Sequence, residues 1–411
     1  MPKEVVSVKT CLALLLATAL SLGTFSAGQC ADATPIPLIQ AQRQTEVELG
    51  KIDAALSKAA RQLGRSGLAG EDARAALREL CGRFAYAIDC AAVSEQGIMV
   101  TIEPASFSGF EGGDISQQQQ FKQMRETRRP VLSRVFRTLE GIDAADAEYP
   151  VITPDGCFLG SASILIRPEK LLDQQIAPIT QGLPVHIWTM ETGGRILYDQ
   201  DPSQVGLNLF ESDLYKPYTQ LINLGQAIAS ASAGTGIYEF ISPITREPVQ
   251  NRAAWQSARL FGNDWRLVAT YALPKNIHSK YASTSPEKMR LSLGGFVKNP
   301  ALIEALRTDN AQMALSMFKE FYDSTPGIYS VQWVNAAGIN RFGFPLENSL
   351  SNYDFRAGRN ESDSSFAARV GRQAPAEYST QLFEGASGLF LLQPVFDNAA
   401  FLGMVYIITL Q

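Results

Sequence analysis

The sequence predicts an α+β protein built from repeated antiparallel sheet modules, and three observations carry that prediction. An opening strand, a glycine turn and a second strand recur at residues 90–100, 185–197 and 329–340. A closing hairpin recurs as PVITPDGCFLGSASILI over 150–166 and PVFDNAAFLGMVYII over 394–408, each with Pro-Val, a turn, Phe-Leu-Gly and an apolar strand. Helical spacing fills the segments between them. Short links make successive strands antiparallel, and helices packed against such sheets define the class.

Taken in order, residues 1–33 read as a secretory signal peptide. Lys3 and Lys9 form a basic start, the run 11–22 is apolar, and small residues follow at Ser26-Ala27-Gly28 and Ala31-Asp32-Ala33. The run falls short of the ~20 residues that span a bilayer. Gln29 stands where a lipobox carries a small residue before Cys30, so a lipid anchor is not expected. The expected location is periplasmic or secreted. A helix follows from near Gln42, with Ile52, Leu56, Ala59 and Leu63 on one face, and continues past the Gly64–Gly70 break into 71–80. Strands then build a module over about 80–168. A helix over 168–179 leads to a second module over about 183–273, whose hairpin turns at Gly262-Asn263-Asp264. Helical residues 286–322 lead to a third module within 283–411. Its last strand, 399–410, is too short for a membrane span.

Composition narrows function. Net charge is −5, from 36 basic and 41 acidic residues, which leaves no nucleic-acid footprint. Only His186 and His278 are available to a triad or dyad, and a His-rich metal site cannot be built. Gly160-Ser161-Ala162-Ser163 lacks the second glycine of a nucleophile elbow, and no phosphate-binding loop occurs. No paired carboxylates with local context stand out, so no catalytic residues, cofactor or metal are assigned. Cys81 and Cys90 read either as an export-compatible disulfide contributing about 2–3 kcal/mol or as two buried thiols. Cys157 sits in the turn 154–157 without an activating neighbour.

Residues 41–273 resemble a double Cache domain, the PAS-like extracellular sensor of bacterial receptors. The resemblance rests on the leading helix, Asp114-Ile115-Ser116 through Arg128-Arg129-Pro130-Val131-Leu132-Ser133, and Pro154-Asp155-Gly156-Cys157-Phe158-Leu159-Gly160. Residues 187–199, 201–210 and 234–240 complete it, and 287–411 resemble a further, divergent PAS- or Cache-like module. It implies tandem PAS/Cache-like modules, each a five- to six-stranded antiparallel sheet with flanking helices, after a long N-terminal helix. It also implies a non-catalytic sensor that holds a metabolite in its outer module, about 80–168. The chain stops on a strand at Gln411, so a membrane receptor or transporter partner is expected to carry the signal onward. In the amino-acid-binding subset, an Arg and an aromatic residue stand where this chain has Gln118 and Gln120. Without a guanidinium fork, recognition of an α-amino-acid carboxylate in that mode is not expected.

Several residues are candidates for ligand contact. Gln118, Gln120 and Phe121 line the expected outer pocket with Arg125 supplying charge, or else form a solvated helix face whose Phe121 is core. Ser133 and Tyr149 lie on or beside pocket-facing strands. Arg125, Arg128, Arg129, Arg134 and Arg137 form a basic cluster. Asp199, Asp201 and Asn208 resemble oxygen ligands but lack calcium-loop order, and read better as turn residues. Arg341, Tyr353 and Asp354 mark a pocket in the third module. Two functions remain: a small-molecule sensor, or an interaction scaffold whose pockets are filled by their own side chains.

Overall fold

The computed structural model describes residues 34–241, 248–273, 285–358, 360–383 and 385–411. The expected leader over 1–33, with Cys30, lies outside the described residues, as does His278. The stem helix α1 (Ile36–Ser66) starts earlier than the apolar spacing suggests, because proline in a first helical turn gives up no backbone donor. Leu38, Leu49, Ile52, Leu56 and Leu63 make its buried stripe. Gly67 and Gly70, both at positive φ, break the chain before α2 (Glu71–Cys81).

The first sheet comprises β1 (Ala87–Ser94) and β2 (Met99–Glu103), then, after α3 (Gln119–Thr127), β3 (Val131–Leu132), β4 (Phe136–Arg137), β5 (Asp143–Ile152) and β6 (Phe158–Ile166). Its order is β2-β1-β6-β5-β3, with β4 paired to β5 and every pairing antiparallel. A disulfide between Cys81 and Cys90 ties α2 to β1; Cys90 lies inside β1 rather than at its start. α4 (Pro168–Thr180) leads to the second sheet, β7 (His186–Glu191), β8 (Ile196–Tyr198), and, after α5 (Thr219–Ser230), β9 (Ala233–Ile241), β10 (Pro248–Leu260) and β11 (Asn263–Ala272), in order β8-β7-β11-β10-β9. The β10–β11 hairpin turns on Phe261 and Gly262, both at positive φ, one residue earlier than expected.

The 286–322 segment is three helices: α6 (Pro286–Phe296), α7 (Pro300–Arg307) and α8 (Ala311–Ser324). Asn299 and Asn310 cap the second and third, which is why one apolar spacing breaks into pieces. The third sheet follows, with β12 (Ser330–Asn335), β13 (Ile339–Phe344), β14 (Tyr353–Asp354), α9 (Glu361–Gly371), β15 (Ala376–Gln381), β16 (Ser387–Asp397) and β17 (Ala400–Leu410), in order β14-β13-β12-β17-β16-β15.

The repeated Phe-Leu-Gly has a structural cause. Gly160 and Gly403 both adopt φ 142°, and a Cβ there would stand 1.9 Å from Val93 O and 2.2 Å from Val334 O. Each closing strand thus crosses the first strand of its module at a spacing only glycine allows.

One hydrophobic core joins α1 to the inner faces of the first two sheets, with Tyr86, Ala145, Ala147 and Ile164 on one side and Ala254, Trp265 and Leu267 on the other. The third sheet is covered by α6–α8 on one face and by an aromatic cluster under α9 on the other. It meets the rest of the chain at Gly182, where Ser351 N donates to Gly182 O at 2.9 Å.

Candidate functional site

The outer face of the first sheet, turned away from α1, is acidic and buried. Strand alternation puts Asp146 and Glu148 of β5 there, while Ala145 and Ala147 face α1. Asp89 of β1 and Ser161 and Ser163 of β6 join the same buried set. All three carboxylates are nearly inaccessible: Asp89 2 %, Asp146 2 % and Glu148 0 % exposed.

Asp146 is held from three sides. Ser163 Oγ donates to its Oδ1 at 2.6 Å, Gln120 Nε2 to its Oδ2 at 3.2 Å, and its own backbone N donates to Ser133 Oγ at 2.8 Å. Ser161 Oγ donates to Glu148 Oε2 at 2.9 Å. Asp89 Oδ2 and Glu148 Oε1 are buried without a partner. The carboxylates act on one another: Glu140 and Asp146 repel Asp89, Glu140 repels Asp146 and Asp146 repels Glu148, while a proton held on Glu148 hydrogen-bonds Asp146, lowering Asp146 and raising Glu148. Burial, reinforced by these like charges, pushes Asp89 up to about 8. Burial also raises Asp146 and Glu148, the latter further by the charge of Asp146. Desolvation disfavours an uncompensated anion, so protons occupy sites that a cation would otherwise neutralise.

Above this floor, Phe136, Thr138, Leu139 and Glu140 form a roof and Gln118 a side wall around a cavity of about 20 Å³. That is room for roughly one water, so a larger occupant has to lift the roof. Leu139 is 48 % exposed at the roof's tip.

The sequence candidates distribute unevenly around this site. Gln118 lines the cavity and Gln120 contacts Asp146. Phe121 is core, and Arg125 lies over its ring at 5.6 Å. Ser133 supports the Asp146 backbone and donates to Arg134 O. Tyr149 faces the opposite way, packing edge-on against Phe261 of the second module. In the basic cluster, Arg128 covers the Phe158 ring at 3.3 Å and Arg137 pairs with Asp143. Asp201 caps Ser203 N and Asn208 Oδ1 accepts from Phe210 N, both turn roles; among the described residues no metal-holding cluster occurs.

In the third module, Arg341 turns outward to Asp309 and Asn352, and Asp354 accepts from Arg356 N. Only Tyr353 enters the buried cluster, donating its hydroxyl to Asp363 Oδ2 at 2.7 Å. No paired carboxylates stand out by local sequence context, and the structure assembles Asp89, Asp146 and Glu148 instead through the pairing of β1, β6 and β5. Alternating small and acidic residues over 143–148 were the available signal.

Residues 47–168 match the model of the HK/GC/chemotaxis protein-like sensor domain family. Among solved structures, an extracellular ligand-binding receptor from Desulfohalobium retbaense DSM5692 is 29 % identical, with TM-score 0.49, over 57 % of this chain and 39 % of that one. This chain thus spans well under half of that receptor's length. The ligand-binding domain of the Pseudomonas aeruginosa PAO1 amino acid chemoreceptor PctB, in complex with L-Arg, is 14 % identical, with TM-score 0.40, over 60 % and 94 %. That of the Pseudomonas fluorescens chemoreceptor CtaA, in complex with L-alanine, is 12 % identical, with TM-score 0.41, over 58 % and 94 %. No curated protein matches. Among the described residues no helix is long and apolar enough to cross a membrane.

Proposed function

We propose that this chain, whose residues 47–168 are of the HK/GC/chemotaxis sensor-domain type, is an exported, non-catalytic sensor whose first module takes a small ligand bearing an ammonium or other cationic group. One observation carries the reading: three carboxylates are buried together on one sheet face, and Asp89, which lines the cavity with Asp146, has an oxygen without a partner. A cation seated in the cavity, which Asp89 and Asp146 line, compensates their charge and satisfies Asp89 Oδ2. Glu140 at the roof places a further negative charge at the entrance. Gln118 and Gln120 offer only neutral hydrogen bonds, which favours an amine over an α-amino acid held by its carboxylate. Occupancy passes to a membrane receptor or transporter by docking.

The scaffold reading draws on the same cavity, since 20 Å³ suits a pocket filled by its own side chains. A thermal-shift titration of the full chain with alkylamines, diamines and carboxylates separates the two. A ligand at a hundredfold excess over Kd adds about 2.7 kcal/mol. The sensor reading predicts a shift with amines that Asp146→Asn and Asp89→Asn abolish. A flat response to every amine leaves the scaffold.

A further inference from the structure

We propose a second small-molecule site in the third module, between its sheet and α9, that takes a flat, uncharged ring compound carrying an N–H or O–H donor. It does not depend on the first-module reading. The cavity there measures about 50 Å³, more than twice that under the first-module roof. Phe355, Phe366, Tyr378, Phe390 and Tyr406 wall it. Several already lie face to face, Phe355 on Phe366 at 4.0 Å and Tyr378 on Phe390 at 5.1 Å, a geometry that a further planar ring extends.

The polar request is equally specific. Asn348 is 5 % exposed and lines the cavity, and its Oδ1 is buried without a partner. A buried acceptor left without a hydrogen bond is costly, and a ligand donor recovers that cost. The neighbouring Gln332 is fully engaged: its Oε1 accepts from Asn340 Nδ2 and Leu350 N, and its Nε2 donates to Ser330 Oγ. Asp363 Oδ2 accepts the Tyr353 hydroxyl. The group left wanting is therefore an acceptor that needs a donor.

A ring exceeds 50 Å³, so Phe366 has to swing with α9, which follows Gly358 at positive φ. Ile36, the first residue of α1, and Pro184, just before β7, also line the cavity. An occupant there touches the stem helix directly.

The test is calorimetric titration of the full chain with phenol, indole and adenine, in wild type, N348L, N348D and D89N. The proposal expects at least one probe to bind, with affinity at least tenfold weaker in N348L, retained in N348D, which keeps an acceptor, and unchanged in D89N. No binding by any probe, wild-type affinity in N348L, or loss of binding in D89N overturns it. D89N also reports separately on the first module, since amine binding is lost there whatever the ring probes do. If N348L does not fold, a probe soaked into wild-type crystals must lie against Asn348 and Phe366. Density elsewhere, or none, overturns the proposal.

Discussion

Asp89 concentrates the chemistry of the first module in one side chain. Its folded value of about 8 lies above the ordinary carboxylate range, so its contribution to stability is fully present below about pH 4 and lost as pH rises through 8. The free protein should therefore lose stability between pH 4 and 8. Asp89→Asn should flatten that slope and raise stability at pH 8 by a few kcal/mol, read by denaturant unfolding across pH. A slope unchanged in the variant would assign the titration elsewhere. In the sequence, Asp89 and the 143–148 alternation resemble strand residues with a wet face. They are dry because α1 covers one face of the sheet, while α3 and the 136–140 roof cover the other. Double coverage is a tertiary fact that strand periodicity alone does not carry. The direction of Arg341 was hidden from the sequence for the complementary reason: it turns to Asp309, which is distant in sequence.

At the scale of elements, the repeated grammar was legible because glycine leaves a mark. Gly160→Ala and Gly403→Ala should each destabilise by at least about 1–3 kcal/mol from the backbone conformation alone, before the overlap with Val93 O or Val334 O. Gly156→Ala, with nothing within 4 Å, should lose only the conformational part. Equal losses at the three positions in chemical denaturation would contradict a crossing role for the Phe-Leu-Gly glycine. The Cys81–Cys90 link closes a short loop, so the double Cys→Ser variant should lose about 2–3 kcal/mol. Cys157 is exposed and outside that pair, so among the described cysteines it alone should react with a thiol reagent in the native protein. Helix subdivision in 286–322 was less legible. Apolar spacing runs through it, and the breaks rest on asparagine caps and on prolines that a periodicity count passes over.

For the whole molecule, the shared core makes α1 the common wall of two sheets. Leu56, fully buried on that wall, should cost about 2–5 kcal/mol as Leu56→Ala. Hydrogen exchange should then rise together in β5, β6, β10 and β11; acceleration confined to one sheet would show that the core is not shared. The third module keeps separate cores and meets the others chiefly through Gly182, Leu183 and Phe383. A sensor of the proposed kind exchanges protons for a cationic ligand in its first module. That exchange is tested most directly by calorimetric titration of the full chain with a binding amine at pH 7, in two buffers of different ionisation enthalpy. Buffer-dependent heats equivalent to about one proton released per amine bound are expected, as Asp89 gives up its proton to pair with the cation. Amine binding with no proton release, or binding of carboxylates in place of amines, would contradict it.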